Sequence, residues 1–164
     1  MGTGKSRKQA ETNGPRWLNA AQLDAWRSFT FMFARLQTEL EAQLQRDAQL
    51  SYVEYYVLAG LSEEPGRRMR MSRLALLTNA ELSRLSHLIS RLEKRGFVRR
   101  EPDRDDRRYT NAILTDEGYE HLVRAAPGHV AKVRDLVIDV LDDEALTALR
   151  ESSEQILHRI DGCP

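Results

Sequence analysis

The stretch that most constrains this chain runs from Thr78 to Gly96, TNAELSRLSHLISRLEKRG. Leu82, Leu85, Ile89 and Leu92 recur at steps of three, four and three, the period of a helix with one buried stripe. Thr78 followed by Glu81 three residues on has the pattern of a capping box and predicts the helix start. Gly96 after the basic turn Lys94-Arg95 predicts its end, because helices commonly stop at a residue able to adopt positive φ. The other side carries Ala80, Ser83, Arg84, His87, Ser90 and Arg91, with no large apolar side chain. Such a face suits the major groove of a duplex. Small residues permit close approach, arginine pairs with a guanine edge or a phosphate, and serine or histidine completes the polar contacts. An ordinary amphipathic surface helix satisfies the same pattern, so the flanking segments decide between the two.

Upstream, Met69 to Met71 reads as a very short strand, and Ser72 as the cap of a short helix holding Leu74, Ala75 and Leu77. Two helices joined by a tight turn, the second with a polar face, make a helix-turn-helix. Downstream, Phe97-Val98-Arg99-Arg100-Glu101 and Tyr109 to Leu114 read as paired strands around the charged turn Pro102 to Arg108. A hairpin directly after a helix-turn-helix is a wing. Arginines at its tip suit a narrow minor groove, although the same turn can also be a solvated hairpin whose acids and arginines pair with each other.

Net charge taken alone argues against nucleic acid, since 25 Lys or Arg balance 25 Asp or Glu. The distribution argues for it. Residues 67–108 hold thirteen basic against six acidic side chains, a surplus of seven, and the rest of the chain carries the matching deficit. A basic centre between acidic flanks is the electrostatic footprint of a phosphate-binding surface.

The flanks are helical. Asn19 and Gln22 form a capping-box pair, and Leu23, Trp26, Phe29, Phe33, Leu36, Leu40 and Leu44 follow at helical spacing to about Arg46. That helix is too long and too aromatic for one small domain, which predicts packing against another subunit. Ser51 and Glu54 open a second helix, with Tyr55, Leu58 and Leu61, that should stop near Pro65-Gly66. Thr115 opens another with Asp116 and Glu117 in its first turn. Pro127-Gly128 should kink or interrupt it, and Asp142 should cap a last helix carrying Leu146, Leu149, Ile156 and Ile160. The fold class expected is mainly α (α+β): a winged helix-turn-helix core at 51–115 with a two-stranded wing. Dimerisation helices at 17–47 and 116–164 flank it, all within one domain at 17–164, after a disordered tail at 1–16.

Together, the short helix with Leu74-Ala75, the helix LSRLSHLISRLEKRG, the strand FVRR, the turn DRDDRR and the strand ending Leu114-Thr115 resemble the MarR family of winged-helix transcriptional regulators. The most specific element is Asp106-x-Arg108 followed after five residues by Leu-Thr. The resemblance covers roughly residues 20 to 160. It implies a homodimer with intertwined terminal helices, each subunit presenting one recognition helix and one wing to double-stranded DNA at a pseudo-palindromic operator. By position, Asn79, Ala80, Ser83, Arg84, Ser86, His87 and Arg91 form the recognition surface, and Arg104, Asp106, Arg107 and Arg108 the wing. Arg108 would enter the minor groove, with Asp106 ordering the tip. The resemblance also implies a small aromatic or phenolic effector that releases DNA, for which Trp26, Arg27, Phe29, Tyr55 and Tyr56 are candidate pocket residues. Aromatics at this spacing also serve as core and interface packing. The peroxide-sensing branch uses a cysteine near the first helix, and none stands there in this chain.

Other function classes stay open at this point. A winged helix can recognise protein instead of DNA, since fold does not dictate function. An enzyme finds little support. The four histidines show no His-x-x-x-His spacing, and there is no phosphate loop or nucleophile motif. His121 and His129, eight apart, are a weak candidate metal pair and read better as solvated surface residues. No cofactor or metal is expected. The single Cys163 allows no intramolecular disulfide and no cysteine-rich zinc site. No run of eighteen apolar residues and no apolar leader is seen, so a cytoplasmic protein that does not span a membrane is expected.

Overall fold

The polar-faced helix starts later than its caps predict, and the turn before it shows why. In the computed structural model, which describes residues 15–103 and 106–162, Thr78 closes the preceding helix instead of opening the next. Its hydroxyl donates back to the Leu74 carbonyl at 2.9 Å. Asn79 then takes a left-handed conformation, φ 47°, and its N–H reaches Leu76 O while that of Ala80 reaches Ala75 O. This pair of bonds is a Schellman closure with asparagine in the position glycine usually holds. The expected capping box is therefore absent. Glu81 is the residue before the first turn, and its side chain makes no capping bond. Ser72 likewise lies inside its helix, whose N-terminal flank is Arg70.

The elements in order are α1 (Ala20–Ala48), α2 (Tyr52–Glu63), a single 3-10 turn at Pro65–Arg67, β1 (Arg68–Arg70), α3 (Met71–Leu77) and α4 (Leu82–Lys94). They continue with β2 (Val98–Pro102), β3 (Thr110–Leu114), α5 (Asp116–Val133), a π-helical turn at Arg134–Ile138 and α6 (Asp143–Ile160). The fold is mainly helical with one small antiparallel sheet. That sheet has three strands in the order β1-β3-β2, one more than the expected hairpin. β3 is central, with Ala112 facing Met69 on one side and Arg100 on the other. The wing is thereby tied to the strand that leads into α3. No helix among the described residues is long and apolar enough to cross a membrane.

Four predicted caps are present, that at Thr115 being described below. Asn19 and Gln22 exchange bonds at 2.9 and 3.0 Å, Ser51 and Glu54 form a full capping box, and Asp142 accepts from Ala145 N. α4 ends as expected, with Gly96 at φ 77° and bonds from Gly96 N to Glu93 O and from Phe97 N to Leu92 O. Pro127 does not interrupt α5, which runs through it. Proline removes one backbone bond, but the following residues are held by packing: Gly128 lies close to the Gln43 amide, and His129 is buried beside Tyr55. The irregularity comes one turn later, at the π-helical segment.

The chain divides into two units, one ending at Arg35 and the other beginning at Leu36. In the first, Trp26, Phe29 and Phe33 stack in series along the exposed half of α1. The second holds the core, built on Leu44, Leu58, Leu61, Leu74, Leu85, Ile89 and Leu92, all fully enclosed. In α6 nothing is buried, and Leu149, Ile156, Leu157 and Ile160 are exposed.

Thr115 joins the wing to α5. Its hydroxyl donates to Gly96 O at 2.6 Å and accepts from Gly118 N at 3.0 Å. This brings Gly118 so close to β2 that a Cβ there would lie 2.2 Å from the Phe97 carbonyl oxygen, a backbone atom unable to step aside. Gly118→Ala is expected to lower stability by about 1–3 kcal/mol, the usual cost of overpacking. Urea titration followed by circular dichroism measures it.

Candidate nucleic-acid interface

α4 is anchored on one side by Leu85, Leu88, Ile89 and Leu92. Leu82, expected in that stripe, is 55% exposed, because the late helix start places it at the first position, clear of the core. On the other side Ser83, Arg84 and His87 are exposed, and none has an ion pair among the described residues. Arg84 and His87 border a cleft shared with Asn79, Ala80 and Arg91 and with the start of α2. The remaining recognition candidates have structural occupations. Asn79 forms the turn, and Ala80 packs against the core. The Arg91 Nε donates to the buried Glu54 carboxylate at 3.3 Å.

Ser86 is half-buried on the side of α4 that faces the wing. It and Ser90 meet the guanidinium of Arg100 in β2, Nη1 donating to Ser86 Oγ at 3.3 Å and Nη2 to Ser90 Oγ at 2.9 Å. The same guanidinium grips Glu93, with Nε at 2.9 Å and Nη2 at 2.5 Å, while the Arg100 backbone N–H donates to the other Glu93 oxygen at 3.0 Å. Both guanidinium nitrogens converge on Oε2 while the backbone N–H takes Oε1, so the pair is fixed in orientation as well as distance. The recognition helix and the wing strand are thus held in one relative position by four side chains, of which Arg100 and Glu93 were not singled out from sequence. The available signal was their placement on either side of the Gly96 turn, seven residues apart with opposite charge.

The wing has its own hub. Asp103, only 8% exposed, accepts from Arg70 Nε at 3.0 Å, from Asn111 Nδ2 at 3.1 Å and from the backbone N–H of Asp106 at 3.2 Å. Arg70 in turn lies over the Tyr109 ring, 4.7 Å from its centroid. Further out, Asp106 accepts from the Arg108 backbone N–H at 3.1 Å and holds its guanidinium through both oxygens, Nη2 at 2.6 Å. The Arg108 guanidinium keeps the Asp106 carboxyl below the usual carboxylate range. The Arg108 side chain is nevertheless 84% exposed, so it is aimed without being covered. Arg107 is exposed beside it. Arg104 lies outside the described residues.

The candidate effector residues fall in both units. Trp26, Arg27 and Phe29 belong to the exposed half of α1, with Trp26 and Phe29 stacked at 6.1 Å. Tyr55 and Tyr56 belong to a second cluster with Tyr52 and His129. Tyr55 is buried against the His129 ring at 4.4 Å, and Tyr56 is exposed. His129 is not a solvated surface residue: it is buried, with Nδ1 3.3 Å from Gln43 Oε1. His121 places Nε2 2.9 Å from Ala48 O and stacks on Phe97. Among the described residues, no three His, Cys, Asp or Glu side chains are grouped to hold a metal.

Comparison with known proteins adds four likenesses to this geometry. Residues 48–108 match the model of the MarR family. Sco3205 from Streptomyces coelicolor, a MarR family transcriptional regulator solved in complex with DNA, is 45% identical with a TM-score of 0.89, over 92% of this chain and 94% of that one. AbsC from the same organism, also a MarR family transcriptional regulator, is 42% identical with a TM-score of 0.87, over 90% and 99%. The transcriptional regulator PecS of Dickeya dadantii is 40% identical over 68 residues, 42% of this chain and 40% of PecS, so the match spans under half of that relative.

Burial of His129 has a measurable consequence. Loss of hydration disfavours its charged form and lowers its pKa from 6.5. Above that value both folded and unfolded chains carry it neutral. As pH falls through 6.5 the unfolded chain takes up the proton first, so stability declines until the lowered folded value is passed. His129→Phe should show a shallower loss of urea stability between about pH 7 and 5 than the parent chain. Parallel slopes for the two would count against a buried neutral imidazole.

Proposed function

The chain belongs to the MarR family of transcriptional regulators, and from that premise we propose that it is a homodimeric repressor binding a pseudo-palindromic duplex site. The family consists of regulators and not enzymes. The observation that carries the proposal is an exposed α4 face, with Ser83, Arg84 and His87, held in register with an arginine-bearing wing by the Arg100–Glu93 clamp. In this reading α4 enters the major groove. Arg84 pairs with a guanine edge or phosphate, and Ser83 and His87 complete the polar contacts. Arg108, with Arg107 and Arg104, addresses the adjacent minor groove, where negative potential attracts guanidinium groups.

Dimerisation follows from the ends of the chain. The apolar side chains of α6 and the aromatic series of α1 are exposed in a single subunit, and each is a surface that water disfavours. A two-fold axis through such a dimer sets the recognition helices about 34 Å apart, one turn of duplex. Bound across a promoter, the dimer would occlude it, and repression is the expected output. Release by a small aromatic or phenolic effector is part of the proposal. It requires that effector and DNA weaken each other's binding by the same factor, which calorimetry on the two orders of addition can check.

Two substitutions separate the contacts. Arg84→Ala should cost about 1–3 kcal/mol on a matched site and much less on a scrambled duplex, relaxing specificity. Arg108→Ala should weaken both duplexes and flatten the dependence of affinity on salt by about one phosphate contact per arginine removed. Gel-shift titrations at several ionic strengths read both effects. Unchanged affinity in both variants, or no duplex binding by the parent chain in dilute buffer, would leave a protein-recognition role for the wing.

A further inference from the structure

Leu82 is exposed, and the other exposed residues of α4, Ser83, Arg84, His87, Arg91 and Lys94, are polar. Leu82 is the first residue of α4, one position before Ser83 and two before Arg84, and it is not part of the core cluster. Its side chain borders a cleft of about 290 Å³ between α4 and the wing, shared with Ser86, Tyr109 and three guanidinium-bearing residues, Arg70, Arg100 and Arg108. Leu82 is 55% exposed and the core offers it no partner. The arginines around it are held by carboxylates, Arg70 by Asp103, Arg100 by Glu93 and Arg108 by Asp106, so an occupant of this cleft meets an apolar side chain ringed by guanidinium groups. A duplex offers a partner to both. Its phosphates flank the groove, and its floor carries one apolar group, the thymine 5-methyl. The N-terminal residues of a recognition helix are also those that reach base edges.

Resting on the proposed duplex binding, we infer that Leu82 is a specificity-determining residue that reads thymine through its 5-methyl group in each half-site. Arg84 then supplies the polar part of the readout and Leu82 the apolar part, from opposite sides of the first turn of α4. The contact is a choice between bases, not a source of general affinity, because deoxyuridine and cytosine both lack the methyl.

The test begins with in vitro selection of duplexes from a random pool by the full-length protein. Each thymine of the enriched site is then replaced by deoxyuridine, which removes the methyl and leaves base pairing intact. Fluorescence anisotropy should show about fourfold weaker binding for one position in each half-site, the worth of one buried methyl. Leu82→Ala should bind the thymine and deoxyuridine duplexes equally, with an unchanged salt dependence. Leu82→Met, which keeps an apolar side chain of similar size, should retain the discrimination, and circular dichroism on both variants reports that the fold is intact. A parent chain indifferent to deoxyuridine at every position would overturn the assignment to Leu82, as would a Leu82→Ala variant that still discriminates. Failure to enrich any duplex would overturn the underlying DNA-binding reading instead, so the two failures are distinguishable.

Discussion

In α4 the side chains that carry the burial and those that face outward are different residues. Leu85, Leu88, Ile89 and Leu92 carry the burial, each worth roughly 1.5–3 kcal/mol when fully enclosed. Ser83, Arg84 and His87 carry none of it. Substitution on the exposed face can therefore change what the helix contacts without changing whether it folds. The core below is shared with α2, α3 and α5 through Leu58, Leu74 and Leu122, so the position of the exposed face is set by the whole domain.

Position alone does not make a recognition surface; the wing must hold a defined distance from the helix. Two networks in series do this. Arg100 bridges β2 to Glu93, Ser86 and Ser90 on α4, and Asp103 gathers Arg70, Asn111 and the Asp106 backbone at the base of the turn. Both are half-buried or better, which strengthens charge-assisted bonds relative to those in open water. Asp106 then orients Arg108 at the exposed end. Burial thus declines along this series, from Arg100 and Asp103 to the exposed Arg108.

Much of this was legible in the sequence, and what was not has identifiable causes. The leucine period, the Gly96 stop, the hairpin and the caps at Asn19, Ser51, Thr115 and Asp142 are local signals, and the structure retains them. The start of α4 was misplaced because Thr78 satisfies two local patterns and its hydroxyl went to the Leu74 carbonyl behind it. That choice depends on Asn79 accepting a left-handed turn. Pro127 does not interrupt α5, and the contacts beside it are long-range, from Gly128 and His129 to Gln43 and Tyr55, which local sequence does not show. The internal use of Ser86 and Arg91 was equally hidden, since their partners Arg100 and Glu54 stand fourteen and thirty-seven residues away. Periodicity reports which face a residue occupies, but not whether a distant charge has already engaged it.

The same reasoning changes the meaning of the basic centre. Its surplus of seven suggests a row of free cations, yet most of its arginines are already paired. Arg67 meets Asp116, Arg68 and Arg99 meet Glu101, Arg73 meets Glu64, and Arg91 and Arg95 meet Glu54. Several of those acids lie outside the centre, so the pairing also draws in charge from the flanks. An arginine held by a carboxylate gives up that partner if it turns to a phosphate, and the net gain is small at exposed sites. Among the described residues of this centre the cations without an ion pair are Arg84, Lys94 and Arg107, and Arg108 is left exposed by its partner. On the proposed duplex reading, salt dependence should follow these and Arg104 of the wing, and not all thirteen basic residues that the sequence counts.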